Sequence, residues 1–499
     1  MTDGFNREAA AAAAAPGVLQ GIRVLDFSRY IAGPYCASIL GDLGAEVIRI
    51  EPPGGADDRF LLKVEGFDDG AQFMALNRNK KSLTMDLRSP RGREVLNRLV
   101  ASADVTLTNM PPAALPRLGL DYASLKQANP AIISANVSAY GPQGPLSGRN
   151  GFDLIGQAMS GATYMSGWPG QPVRTSCNYV DFGTGLGTAL GIMAAIMHRQ
   201  QTGEGQEVQA SLLQTALTFM NAVLLEASTG VERAPGEGRS PYAGPAELAP
   251  TKDGAVVVQV VGPAMFARLA EAIGRPELAQ DPRFDTDEKR GEAGAELSAI
   301  LGEWAGPLTM QEAMDALAQA RIPSGPAFSP IQAINDPGVR GSGVFQDHHP
   351  KPDGPALPVA GFIARLSASP GTIRPRRGGG RRHARHPARG RLLGRRNRDA
   401  DRRGLRGPAR RLIQSRRACR ARWPRGRPGP GALRRRGRLS GRPRRRQAPR
   451  AQAGSRSAPA SDRRRPSPRA VAGPPSRGPE APARRRARAH GQGTDRPPA

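Results

Sequence analysis

"IRVLDFSRYIAGPYCASILGDLGAEVIRIE", Ile22 to Glu51, carries a complete strand-helix-strand unit. The apolar run 22–27 reads as a strand, and 32–44 has a helical apolar pattern closed by Gly44. Residues 46–51 read as a second strand. The alternation recurs with a strand at 82–87, a helix at 89–103, a strand at 104–110, a helix near 122–128 and a strand at 131–140. Strands alternating with amphipathic helices predict an α/β fold: a doubly wound, mainly parallel, Rossmann-like sheet. Ligands of such sheets sit at the carboxyl ends of strands, which directs attention to the loops after Phe27, Glu51, Leu87 and Met110.

Further along, 186–228 reads as two helices joined by the turn "QTGEG" (201–205), and 229–246 as a Gly/Pro-rich linker. A smaller α+β domain is expected over 247–335. It opens with the strand "GAVVVQVV" (254–261) and continues with helices at 263–274, 290–305 and 309–320. Residues 1–17 read as a disordered leader without the basic n-region of a signal peptide. The longest apolar stretch, around Leu186–Met197, reads as too short and too Gly-broken to span a bilayer. A soluble cytoplasmic protein is the expectation.

The net charge of +29 is an average over two unlike segments. Residues 1–370 hold 30 Lys+Arg against 38 Asp+Glu, whereas 371–499 hold 42 arginines, no lysine and 5 acids. Cys36, Cys177 and Cys419 match no metal spacing or disulfide framework, in keeping with a reducing compartment. His198, His348 and His349 have no Cys or acid partner at ligand spacing, so no metal site is expected. There is no GxxxxGK[ST] and no Gly-x-Ser-x-Gly elbow, which removes P-loop and Ser-His-Asp chemistry. The glycines at 183, 185, 187 and 191 have some dinucleotide character, but "SCNYV" before them is a poor strand and no acid follows at the required place. Asp181, directly ahead of those glycines, reads either as a helix cap or as a carboxylate nucleophile beside open backbone N–H groups. Residue pattern alone leaves both open.

Blocks 21–60, 77–96, 103–122, 151–161, 181–212 and 281–290 together resemble the class III coenzyme A transferases (CaiB/BaiF, formyl-CoA transferase type), a family that also contains the α-methylacyl-CoA racemases. The likeness runs in order from about residue 18 to 370. It implies that Asp181 is the catalytic carboxylate, passing through an aspartyl anhydride and an aspartyl-CoA thioester. It also implies acyl-CoA and a small carboxylic acid as substrates, with no permanently bound cofactor. Matching positions imply CoA contacts at Ile31, Ala32, Met85 to Arg88, Asn109, Met110, Pro111 and Arg117, the two arginines being suited to phosphate. Pro52 stands where formyl-CoA transferases use a basic residue. The racemases place a histidine before the Asp of the block that here reads Gly151-Phe152-Asp153; phenylalanine carries no proton, which favours transfer over racemisation. The likeness further implies an interlocked-ring homodimer, with 18–228 as the CoA-binding large domain and 336–370 returning to it.

Beyond residue 371 the Arg/Pro/Gly/Ala composition is that of a disordered tail that cannot bury a core. An arm binding nucleic-acid phosphates is one reading, opposed by the lack of lysine and of stacking aromatics beyond Trp423. The preferred reading is a frameshift near residue 375. GC-rich codons for 383–404, read one nucleotide later, can encode an amphipathic helix, a Gly-Tyr-Ser turn and a second helix.

Overall fold

The computed structural model describes residues 17–240, 242–351 and 354–374. The leader and the tail beyond Arg374, with the frameshift and nucleic-acid readings attached to it, lie outside the described residues.

Six parallel strands form the main sheet: β1 (Arg23–Asp26), β2 (Glu46–Glu51), β3 (Lys80–Thr84), β4 (Val105–Thr108), β5 (Ile133–Ser138) and β6 (Glu207–Ser211). Their order is β3-β2-β1-β4-β5-β6. β1 is central: Val24 aligns with Val47 of β2 on one side and with Val105 of β4 on the other. The chain therefore reverses its direction of winding between β1 and β4, and the carboxyl ends of the strands at such a reversal are where sheets of this kind bind ligands.

The helices that matter for the site are α1 (Ala32–Asp42), α2 (Pro90–Val100), α3 (Tyr122–Ala128), α4 (Asp153–Met159), α5 (Tyr179–Thr202), α6 (Leu212–Phe219) and α7 (Asn221–Ser228). α1 and α5 bury Ile39, Leu40, Ala189, Ile192 and Ile196 with Val24, Val105 and Ile133 of the sheet. Leu96, Val100, Leu120 and Leu125 join a further core cluster that includes Leu25.

Two sequence expectations change here. The turn before residue 206 leads into a strand, not a helix, because Gly205 fits against the Ala131–Ile132 backbone; a Cβ there would lie 2.0 Å from the Ile132 carbonyl. The Tyr122 hydroxyl donates to the Gly205 carbonyl at 2.9 Å. The short, polar "EVQAS" is thereby pinned as the edge strand β6. Second, α5 runs for 24 residues, long and apolar enough by length and composition to cross a membrane. Its glycines do not break it, and its buried face belongs to the sheet's core.

A three-stranded antiparallel sheet, β7 (Ala246–Pro250), β8 (Ala255–Gln259) and β9 (Ser324–Pro326), packs with α8 (Pro263–Ala272), α9 (Gly294–Ala305) and α10 (Met310–Gln319) around Val256, Phe266, Leu301 and Leu317. Arg290 is fully buried there, donating to the Gly244 and Phe284 carbonyls and to Asp287, with its guanidinium over Phe266. After the hairpin β10 (Phe345–His348) and β11 (Leu357–Ala360), Phe362 packs against the core under α1. Asn79, in the left-handed region at φ 60°, donates to the Thr372 carbonyl at 2.7 Å and accepts from the Arg374 N–H at 2.8 Å. The end of the described chain is thus fastened to the main sheet.

Candidate active site

Asp181 lies in the first turn of α5. Asn178 precedes that helix without a side-chain cap, and the cap comes instead from another helix. Asp153, at the start of α4, accepts the Asp181 N–H at 3.0 Å through Oδ2. Its other oxygen accepts from Gln157 Nε2, four residues along α4. Gln157 also accepts the Thr175 N–H at 3.2 Å and donates to the Cys177 carbonyl at 3.3 Å. Two buried side chains of α4 therefore fasten the whole approach to Asp181.

The Asp181 carboxyl itself has no hydrogen bond or ion pair among the described residues. Burial, followed by the charge of Asp153, pushes its pKa up from the ordinary 3.8 to about 7. An acid half-ionised near neutrality, with no donor damping its lone pairs, is suited to nucleophilic attack.

The glycines do not supply the open backbone expected from the sequence. They lie inside α5, where their N–H groups are used in the helical ladder. Two of them serve close approach: a Cβ on Gly185 would stand 2.5 Å from the Ala32 carbonyl, and one on Gly183 would stand 2.5 Å from the Phe219 ring. Among the described residues the N–H groups of Tyr179 and Val180 are the first-turn donors of α5 without a partner.

Gly185 also brings the predicted Ile31–Ala32 pair beside the helix that carries Asp181. Ile31 precedes α1 and Ala32 opens it. Asn109, just past β4, donates to the Arg29 carbonyl at 2.7 Å and accepts the Arg29 N–H at 2.9 Å, clamping the β1 and β4 loops across the winding reversal. Its amide is thus engaged with protein backbone. Met85 and Met110 pack half-buried on one core cluster. Arg88 is exposed beside Asp86 at 3.6 Å, while Pro111 and Arg117 are exposed. Arg93 of α2, which the sequence reading missed, donates to the Arg117 carbonyl at 2.7 Å and so adds a third guanidinium to this edge. Asp153 was legible only as part of a block; nothing local to it announces a partner 28 residues later.

Beneath the β1 loop runs a buried ionic network. Asp26 pairs with Lys80 at 2.9 Å, Lys80 and Arg49 both donate to Asn77, and Arg49 grips both oxygens of Asp58 at 2.9 Å. Glu51, held at a pKa of about 2 by Arg59 and Arg49 against its burial, continues the network to Asp69. Two cavities of about 430 and 570 Å3 flank α7 and share Leu224 in their walls; Asp181 lines neither.

The family model for CoA-transferase family III matches residues 19–378. The chain is 34% identical over 363 residues to a succinyl-CoA–D-citramalate CoA-transferase of Chloroflexus aurantiacus, covering 72% of this chain and 90% of that protein. It is 32% identical over 349 residues to a succinate–glutarate CoA-transferase of Agrobacterium fabrum, covering 68% and 87%. Among solved structures, a CAIB/BAIF family protein from Brucella suis superposes with a TM-score of 0.64 at 31% identity, covering 76% of this chain and 99% of that one.

Proposed function

Since the chain belongs to CoA-transferase family III, we propose that it moves coenzyme A from an acyl-CoA to a free carboxylic acid through covalent intermediates on Asp181. An Asp181 oxygen attacks the thioester carbonyl and CoA thiolate leaves, giving a mixed anhydride. The thiolate then attacks the Asp181 carbonyl, releasing the donor carboxylate and leaving an aspartyl-CoA thioester. The acceptor carboxylate attacks that thioester and expels the thiolate once more. Thiolate attack on the acceptor's carbonyl forms the new acyl-CoA and restores Asp181. One thioester replaces another, so the cycle consumes no external energy, and each step is an acyl exchange of the kind nucleophilic catalysis divides.

The observation that carries this reading is the Asp181 carboxyl without a partner, fixed through its own backbone by Asp153. Tyr179 and Val180 N–H are the donors we assign to the developing oxyanion. Arg88, Arg93 and Arg117 are assigned to CoA phosphates, with the Ile31–Ala32 backbone along the pantetheine. Phe152 offers no base, so α-proton exchange of a 2-methylacyl-CoA is expected to be absent. The test is covalent: intact-mass measurement after mixing with an acyl-CoA should show an adduct that hydroxylamine removes and that Asp181→Ala abolishes. An adduct of equal yield on Asp181→Ala would end the proposal.

A further inference from the structure

Tyr30 and Phe152 are large apolar side chains left 38% and 61% exposed, yet their rings meet edge-to-face with centroids 5.8 Å apart. Both are held in place. Tyr30 has φ 68°, a left-handed conformation that a non-glycine residue adopts only under constraint. The constraint is Asp58, 1% exposed, which accepts the Tyr30 N–H at 2.9 Å while Arg49 grips both its oxygens. Phe152 immediately precedes Asp153, which carries the Asp181 backbone. Tyr30 immediately precedes Ile31 and Ala32, the latter packed on α5 at Gly185. One ring is therefore fixed by the network under β1 and the other by α4, and each adjoins a segment that touches the first turns of α5, Asp153 at Asp181 and Ala32 at Gly185.

The charges point the same way. Among the described residues no cation forms an ion pair with Asp181 or Asp153, so these two acids present unpaired negative charge to a second carboxylate on an entering acid. An apolar chain or ring meets two aromatic faces instead. We propose that Tyr30 and Phe152 form the acyl-binding wall of this site and select monocarboxylic acids with an apolar chain or ring over dicarboxylates. This rests on the CoA-transfer reading of Asp181.

The experiment measures kcat/KM of the full chain for hexanoate, phenylacetate and succinate as CoA acceptors, alongside the covalent adduct on Asp181. The wild type should prefer the two monocarboxylic acids over succinate by at least about tenfold. Phe152→Ala should lower kcat/KM for them roughly ten- to a hundredfold, in line with an apolar contact in a specificity pocket, and change succinate little. Phe152→Arg, which adds the missing cation at an exposed position, should reverse the preference. A wild type that prefers succinate, or a Phe152→Ala that slows all three acids equally, overturns the wall while an adduct on Asp181 leaves transfer standing. Absence of both adduct and transfer with every acid overturns the wall and the transfer reading together.

Discussion

The carboxyl of Asp181 has Asp153 behind its own backbone N–H, and that neighbour adds to burial in holding the acid near pH 7. Asp153→Asn keeps an oxygen for the N–H but removes the charge. The acid limb of the kcat/KM profile, which requires ionised Asp181, should then move below its wild-type midpoint near 7. An unchanged midpoint would mean that burial alone sets it. Stability follows by linkage. A carboxyl whose pKa rises from 3.8 unfolded to about 7 folded binds its proton more tightly in the native state. Its contribution is full below pH 3.8 and is lost as pH climbs to about 7. Asp181→Asn removes that loss, so urea unfolding should show the variant more stable than wild type by about 1 kcal/mol or more at pH 8, with the gap closing near pH 4. Asp181 was legible as a candidate because an acid beside four glycines is locally conspicuous. Asp153 was not, because its significance is a contact between two helices.

At the scale of the element, α5 is decided by what its glycines touch. Gly185 faces the Ala32 carbonyl at a distance no side chain tolerates, whereas Gly187 faces open space. Gly185→Ala should therefore destabilise the chain by about 1–3 kcal/mol through overpacking. Gly187→Ala should stabilise it by up to about 1 kcal/mol through helix propensity. Equal effects in denaturant titrations would show that α1 and α5 are not packed this closely. Read from the sequence, the same glycines suggest backbone N–H groups left open to a ligand. Residue type records the missing side chain, but not whether a turn, a ligand or another helix requires the room.

For the molecule as a whole, the single chain leaves Leu190 and Met197 of α5, Phe219 of α6 and Leu225 of α7 exposed. We propose that these side chains are covered by a second copy of the chain, the homodimer that the family resemblance implies. Equilibrium sedimentation should give twice the chain mass of 52.9 kDa, and Met197→Glu with Leu225→Glu should shift it toward one chain. A monomer at micromolar concentration would remove the dimer from the account. The segment ending at Arg374 shows how far apart in sequence such decisions lie: it is held by Asn79, 293 residues before Thr372.

From sequence alone the parallel α/β class could be determined, because strand and helix each leave a period in the apolar residues along a short stretch. The charge division near residue 371, the acid at position 181 and the resemblance to a transferase family were likewise written in contiguous residues. Tertiary structure decided the rest: β6 at the sheet edge, Asp153 on the Asp181 backbone, Asn109 across the winding reversal, and Tyr30 against Phe152. Each of these joins segments whose separation along the chain carries no periodic signal. Such pairs exist only once the order of strands and the closeness of helices have been settled by packing.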